Sequence, residues 1–503
     1  MTLKITQLGK MMRRIRNSKT TNVHIGVKNF GPVEKAEIDL RPLTVFVGES
    51  NSGKTYLSAL IYALHHTFEG FPRFPWSISS IFYGLRHYYF GSHLSSPIGI
   101  KLKPEKNEEF LNTLEKLNNV KQPFKFSDLP QYMCSQLELG LKDSTVLKEE
   151  LKRCFDLESI SNLAKFTRNK SSRLSISLKV CDGKQNIWNF DMYCSGSKIT
   201  VDGSANQDLV ILSGSKKKLQ ETLGVEELMV YLDSTTFRGR AGNSYYLPAA
   251  RSGIMQSHGV IASSLVERAT RIGLERFPEI TTFSGMIADF LKFIINYKDR
   301  KRTSNQIIKI AEKLEKDVLG GEIKISRPSP SAYPEFLYHP QKSNRDLRMN
   351  QSSSMVSELT PLVLFLRGIV KRGDTLIIEE PESHLHPGAQ TQIAITLARL
   401  VRAGVRVIIT THSDWLLQQI GNLIREGELN KQEQDTSELP HWLSKEEVGA
   451  WWFHTDKPVQ EIPYDRIEGI EPKDYEDVAD GLYNNFVELE RQFLKEEAVS
   501  EDE

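Results

Sequence analysis

The order of apolar and polar residues divides the chain into two ends that read alike and a middle that reads differently. Near the N-terminus the pattern predicts two short strands, Asn22–Asn29 and Val33–Leu40, joined at Phe30–Gly31–Pro32. Leu43–Val47 is a continuous apolar run too short for a helix, as expected of a strand buried on both faces. After a Gly-rich turn, Leu57, Leu60, Ile61 and Leu64 fall at i, i+3, i+4 and i+7, one face of a helix. Helix and strand alternate again from residue 356. The pattern predicts a helix around Glu358–Val370, a strand at Thr375–Ile378, a helix at Gln390–Ala403, a strand at Val405–Thr410 and a helix at Asp414–Leu423. Pro361 predicts a kink or a later start in the first of these helices. Alternation of this kind at both ends predicts an α/β fold.

The middle is mixed. Phe71–Phe90 is aromatic-rich, and residues 105–170 read as charged helices. Ser175–Val201 predicts a β-meander with turns at Asp182–Gly183 and Gly196–Ser197. Tyr245–Ala250 reads as a strand and 260–300 as helical. Ile307, Ile310, Ala311, Leu314 and Val318 mark a further helix that Gly320–Gly321 would cap. Glu322–Ser326 and Ala332–His339 suggest a hairpin. No internal repeat is visible, and no heptad pattern persists over four repeats, which argues against a long coiled coil.

Composition narrows the class. The chain has 503 residues, 39% hydrophobic and 26% charged, enough apolar content for a packed core. Its 65 basic and 64 acidic residues leave a formal charge of +1, so the whole-chain charge gives no argument for nucleic acid. Local basic patches remain at Lys10–Lys19, Lys216–Lys218 and Arg300–Arg302. No apolar run is long enough for a membrane helix, and the N-terminus lacks a signal-peptide stretch. Cys134, Cys154, Cys181 and Cys194 form no Cys-x-x-Cys pair and read as free thiols. The expectation is a soluble, cytoplasmic protein.

Three short segments carry the chemistry. Gly48-Glu49-Ser50-Asn51-Ser52-Gly53-Lys54-Thr55 matches G-x-x-x-x-G-K-[ST], with a strand before it and a helix after it. Such a loop wraps phosphate in backbone N–H groups and adds the positive end of a helix. Gly48, Asn51, Ser52, Gly53, Lys54 and Thr55 are therefore nucleotide-binding candidates, with Lys54 on the β and γ phosphates of ATP and Thr55 on Mg²⁺. Thr375–Ile378 delivers Glu379 and Glu380 to the C-terminal end of a strand, where open α/β sheets bind ligands. Glu379 would orient Mg²⁺, and Glu380 would act as general base toward the attacking water. His412 ends the next strand, placed to donate a hydrogen bond to a γ-phosphate or to that water. Lys54, Glu380 and His412 are the catalytic candidates.

The order of these segments resembles the ABC-type ATPases of the SMC, RecF and OLD group. Tyr246-Leu-Pro-Ala-Ala-Arg251, Glu380-Pro-Glu-Ser-His-Leu-His-Pro387 and Thr410-Thr-His-Ser413 are similar to forms found in prokaryotic OLD-like ATPases of anti-phage defence, such as Septu and PARIS. The resemblance implies a P-loop NTPase head of ABC-ATPase type, split by a large, mostly helical insertion with a small β element. It also implies a signature turn that closes on a partner's γ-phosphate. The stretch Ser352–Glu358 would supply it through Ser353 and Ser354, though it departs from the usual Leu-Ser-Gly-Gly-Gln. Arg251 would approach phosphate or the dimer interface, or sit on the surface.

The domain reading follows: 1–70, the N-terminal head with the phosphate loop; 71–240, an inserted helical and β lobe; 241–340, a head strand plus helical arm; 341–425, the C-terminal head; 426–503, a β and helix extension. In OLD nucleases a TOPRIM domain follows the head. Here Asp477 and Asp480 fall in a helical stretch, from about Lys473 to Glu496, and not at strand ends, so no nuclease is expected. The implied partners are a second copy, head-to-tail or in a higher oligomer, a separate effector protein such as a nuclease, and a nucleic-acid or phage-derived trigger. A DNA-binding repair ATPase of RecF or SMC type and a weakly hydrolysing nucleotide-gated scaffold are the rival readings.

Overall fold

The computed structural model describes residues 22–71, 124–128, 131–164, 173–183, 185–212, 242–271, 283–298, 306–327, 333–430, 439–455, 457–471 and 481–493. The basic patches at Lys10–Lys19, Lys216–Lys218 and Arg300–Arg302, most of Phe71–Phe90, and Asp477 and Asp480 lie outside the described residues.

Strands β1 (Asn22–Phe30) and β2 (Val33–Leu40) form a hairpin, and β3 (Leu43–Gly48) leads through the phosphate loop into helix α1 (Lys54–Thr67). A short strand β4 (Phe124–Lys125) precedes helices α2 (Gln131–Lys142) and α3 (Thr145–Phe155). Next come β5 (Leu174–Asp182), β6 (Gln185–Ser195), β7 (Lys198–Ala205), β8 (Val210–Leu212) and β9 (Ser244–Leu247). Helices α4 (Arg251–Arg271), α5 (Gly285–Ile295) and α6 (Gln306–Leu314) lead to the strands β10 (Gly321–Ser326), β11 (Glu335–Pro340) and β12 (Leu347–Arg348). The C-terminal part runs α7 (Ser354–Leu364), β13 (Thr375–Glu379), α8 (Pro387–Arg402), β14 (Arg406–Thr411), α9 (Asp414–Asn430), β15 (Val448–Phe453) and β16 (Gln460–Ile462).

A six-stranded sheet in the order β16-β15-β3-β14-β13-β9 carries the site. Every pairing in it is parallel except that of β15 with the edge strand β16. All residues of β3, β9 and β13 are buried, which is why these strands read as unbroken apolar runs. Side chains still alternate between the two faces. Phe46, Ile377 and Ile408 join one core with α1, while Val45, Val47, Leu376, Ile378, Val407 and Ile409 join a second core with α7, α8 and α9.

The second large sheet is antiparallel, in the order β2-β1-β5-β6-β7. The meander expected at Ser175–Val201 is present. It extends the β1–β2 hairpin, with Ile25 opposite Leu178 and Val27 opposite Ile176, so one sheet spans the boundary drawn at residue 70. Phe68, the residue that ends α1, packs on this sheet, its ring meeting Trp188 and Phe190 at 5.3 and 5.0 Å.

Pro361 neither delays nor breaks α7. The helix starts at Ser354, runs through the proline to Leu364, and widens into a π-turn over Phe365–Ile369. Ser353 caps its start by accepting from the Val356 N–H at 3.4 Å. Gly320 ends the expected 307–318 helix in the left-handed region at φ 61°. Residues 481–493 are helical, within the terminal helix expected there. The four cysteines are free. No helix among the described residues is long and apolar enough to cross a membrane.

Candidate functional site

The phosphate loop is built from backbone conformations that few side chains tolerate. Gly48 and Gly53 have φ of 136° and 101°, and Asn51 sits at 63°. A Cβ on Gly48 would lie 1.9 Å from the Phe453 carbonyl oxygen, and one on Gly53 would lie 2.5 Å from Val33 Cγ2. These close approaches bring β15 and the β1–β2 hairpin against the loop. Ser52 closes it by donating to the Glu49 carbonyl at 2.7 Å. The Lys54 ammonium donates back to the carbonyls of Gly48 (2.8 Å) and Glu49 (2.5 Å). Burial lowers the Lys54 pKa to about 8, against the opposing pull of Glu380, Glu382 and Glu49. Thr55 is exposed in the first turn of α1.

The carboxylate edge lies beside this loop. Glu379 is buried, and its two oxygens accept from the Tyr246 hydroxyl at 2.7 Å and the Ala249 N–H at 2.9 Å. Tyr246 is held in turn by Ser58 of α1 at 2.9 Å. Glu380 follows with φ 42°, a left-handed conformation uncommon for a non-glycine residue. Its N–H donates to the Thr410 carbonyl at 2.9 Å, and its carboxylate accepts from Ser383 at 3.0 Å. The Glu380 side chain stays 41% exposed, with His412 Nε2 4.0 Å from one of its oxygens. Burial and nearby Lys54 lower the His412 pKa, while Glu380 opposes the shift.

Glu382, to which the sequence assigns no role, holds the end of β14 in place. One of its oxygens accepts from the Thr411 hydroxyl and the His412 N–H, both at 2.7 Å. Burial raises its pKa. Arg251 is neither a surface residue nor a phosphate ligand in this arrangement: it is 1% exposed and lies beneath the carboxylate edge. Glu49 was also unassigned. It accepts from the Thr455 hydroxyl at 3.0 Å and faces His454 at 3.3 Å, so the segment after β15 meets the loop directly. The apolar run Val448–Phe453 was the only sequence signal for that neighbour.

Lys54, Glu379, Glu380 and His412 thus meet at the C-terminal ends of adjacent parallel strands. Ser353 and Ser354 do not join that cluster. They are exposed at the N-terminus of α7. Among the described residues no cluster of His, Cys, Asp and Glu forms a ready-made metal site.

The AAA ATPase domain family matches residues 23–417 of the chain. No curated protein matches it. Among the solved structures to which the chain is similar are three SMC heads, each at 10% identity and over 88% of this chain. One is an SMC head bound to the C-winged helix domain of ScpA, covered over 98% at a TM-score of 0.34. Another is an SMC head with an extended coiled coil bound to the C-terminal domain of ScpA, derived from Pyrococcus furiosus, covered over 97% at 0.35. The third is the SMC head from Thermotoga maritima, covered over 99% at 0.32.

Proposed function

The chain belongs to the AAA ATPase domain family, with an α/β P-loop NTPase fold of the ABC-ATPase type, and from that premise we propose that it binds ATP and hydrolyses it to ADP and phosphate. The observation that carries this reading is the meeting of Lys54, Glu380 and His412, far apart in sequence, at one sheet edge.

The loop N–H groups and Lys54 take the phosphates, Lys54 exchanging its two carbonyl partners for phosphate oxygens. Magnesium, when bound, neutralises charge on the β and γ phosphates. Thr55 and Glu379 are oxygen donors of the kind it takes. Tyr246 and Ala249 fix the Glu379 carboxylate with one hydrogen bond to each oxygen, leaving each a lone pair with which it would hold the ion directly or through water. Glu380, half-exposed and next to His412, accepts the proton of the attacking water. His412 donates a hydrogen bond to the γ-phosphate or that water. Turnover by purified protein should vanish in Lys54→Ala and fall to a small residual rate in Glu380→Gln. Glu380→Gln should retain ATP. Normal turnover in both variants would overturn the assignment.

We further propose that two copies close head-to-tail around ATP, each presenting the exposed α7 start at Ser353 and Ser354 to the other's γ-phosphate. The Glu380→Gln protein should then become a dimer in size-exclusion chromatography only with ATP. In this proposal the dimer works in the cytoplasm and gates a separate effector in anti-phage defence, a role that rests on the resemblance of Glu380–Pro387 and Thr410–Ser413. Protection of cells against phage should require Lys54.

A further inference from the structure

Arg251 and Glu358 are the most buried oppositely charged pair beside the carboxylate edge, at 1% and 0% exposure. Four hydrogen bonds run from the Arg251 guanidinium to backbone carbonyls, and it forms an ion pair with Glu358. Nη1 donates to the carbonyls of Glu379 (2.5 Å) and Pro248 (3.1 Å). Nη2 donates to the Glu380 carbonyl at 2.9 Å and lies 2.5 Å from Glu358 Oε1. Nε donates to the Glu358 carbonyl at 3.3 Å. No part of this group is left for phosphate. A planar fork can reach two successive carbonyls and a carboxylate together, whereas an ammonium cannot.

The two successive carbonyls belong to Glu379 and Glu380 and flank the Cα of Glu380, the residue with the strained φ of 42°. A non-glycine residue keeps such a conformation only when its surroundings fix it. Here the Glu380 N–H is tied to Thr410, and the carbonyls before and after its Cα are tied to Arg251. Glu358 sits one turn into α7, the helix that starts at Ser353 and Ser354. A second link runs alongside, from Ser252 and Gln256 of α4 to the Ser357 hydroxyl, both at 3.3 Å.

We propose that Arg251 is a positioning residue for hydrolysis, holding Glu380 in its left-handed, exposed conformation, and that its pairing with Glu358 ties that conformation to the helix carrying Ser353 and Ser354. This deepens the ATPase reading and rests on it. One half of the site would then be geometrically dependent on the helix that faces the partner.

The test compares wild-type protein with Arg251→Lys and Glu358→Gln, each alone and combined with Glu380→Gln. Steady-state ATP hydrolysis, ATP binding and thermal melting are measured. Arg251→Lys keeps a cation beside Glu358 but loses the fork. Its kcat should fall about 10- to 100-fold, with KM for ATP changed less than about threefold. Glu358→Gln should lower kcat in the same way by a smaller factor, and it serves if the lysine variant does not fold. On the Glu380→Gln background neither change should reduce residual turnover further, because the group being positioned is already gone. A wild-type kcat in both single variants would overturn the proposal. So would an undiminished further loss on the Glu380→Gln background. A wild-type protein with no Glu380-dependent turnover would instead overturn the ATPase reading, a result distinct from both.

Discussion

The two halves of the site are held by different means. The phosphate loop is nearly self-contained: eight consecutive residues, a pair of left-handed glycines and its own lysine folded back on its own carbonyls. The carboxylate edge is assembled from distant pieces. Tyr246 and Ala249 hold Glu379, Arg251 holds two carbonyls, Thr410 holds the Glu380 N–H, and Glu382 holds Thr411 and His412. A cradle for a ligand can be encoded in backbone conformation over a short stretch. A base that must be aimed requires side chains from several elements.

The largest effect should come from the loop, at its closest contact. Gly48 combines φ 136° with a Phe453 carbonyl oxygen 1.9 Å from where a Cβ would lie. Gly48→Ala must therefore push β15 away from β3 or distort the loop, at a cost of about 3 kcal/mol or more. Chemical denaturation should show that loss, and ATP binding should be abolished. If Gly48→Ala unfolds like wild type and still binds ATP, the loop is not the rigid half of the comparison.

Truncating the edge should cost less in stability and more selectively in rate. Glu382→Ala removes the acceptor shared by the Thr411 hydroxyl and the His412 N–H. Leaving buried donors unpaired costs about 1–3 kcal/mol. The turnover should fall while ATP affinity holds, since the hydrogen bonds that Glu382 accepts go to Thr411 and His412 and not to the loop. A variant that loses affinity and rate together would place Glu382 in the cradle and not at the aimed edge.

This contrast also explains what could be read from the sequence. The loop was legible because its eight residues carry their own reason for being together. The strands β3, β13 and β14 were legible because burial on both faces leaves an unbroken apolar run. The role of Arg251 was not legible. A charged residue reads as exposed unless its partner is known, and Glu358 lies 107 residues away in a helix whose local pattern gives no hint of a cation. Glu382 escaped for the same reason: its partners Thr411 and His412 belong to the neighbouring strand's end. The pairing of β15 with β3, and of β5 with β1, likewise depends on long-range register that periodicity does not encode.

A smaller, pH-dependent effect separates the halves without any change at the edge. Burial lowers the Lys54 pKa from 10.5 to about 8 in the protein without nucleotide. The folded protein therefore binds fewer protons at this group than the unfolded chain between about pH 8 and 10.5. By linkage, Lys54 lowers stability fully below pH 8, and that penalty fades as pH rises toward 10.5. Relative to Lys54→Met, the wild-type protein should accordingly gain stability across this window. The triphosphate favours the charged ammonium, so ATP binding at pH 8–9 should take up protons, and apparent affinity should fall about tenfold between pH 7 and pH 9. Calorimetry in buffers of different ionisation enthalpy reads the proton uptake directly, and Lys54→Met should abolish the component that belongs to this group. Uptake of the same size in the methionine variant would assign the titration to a group other than Lys54.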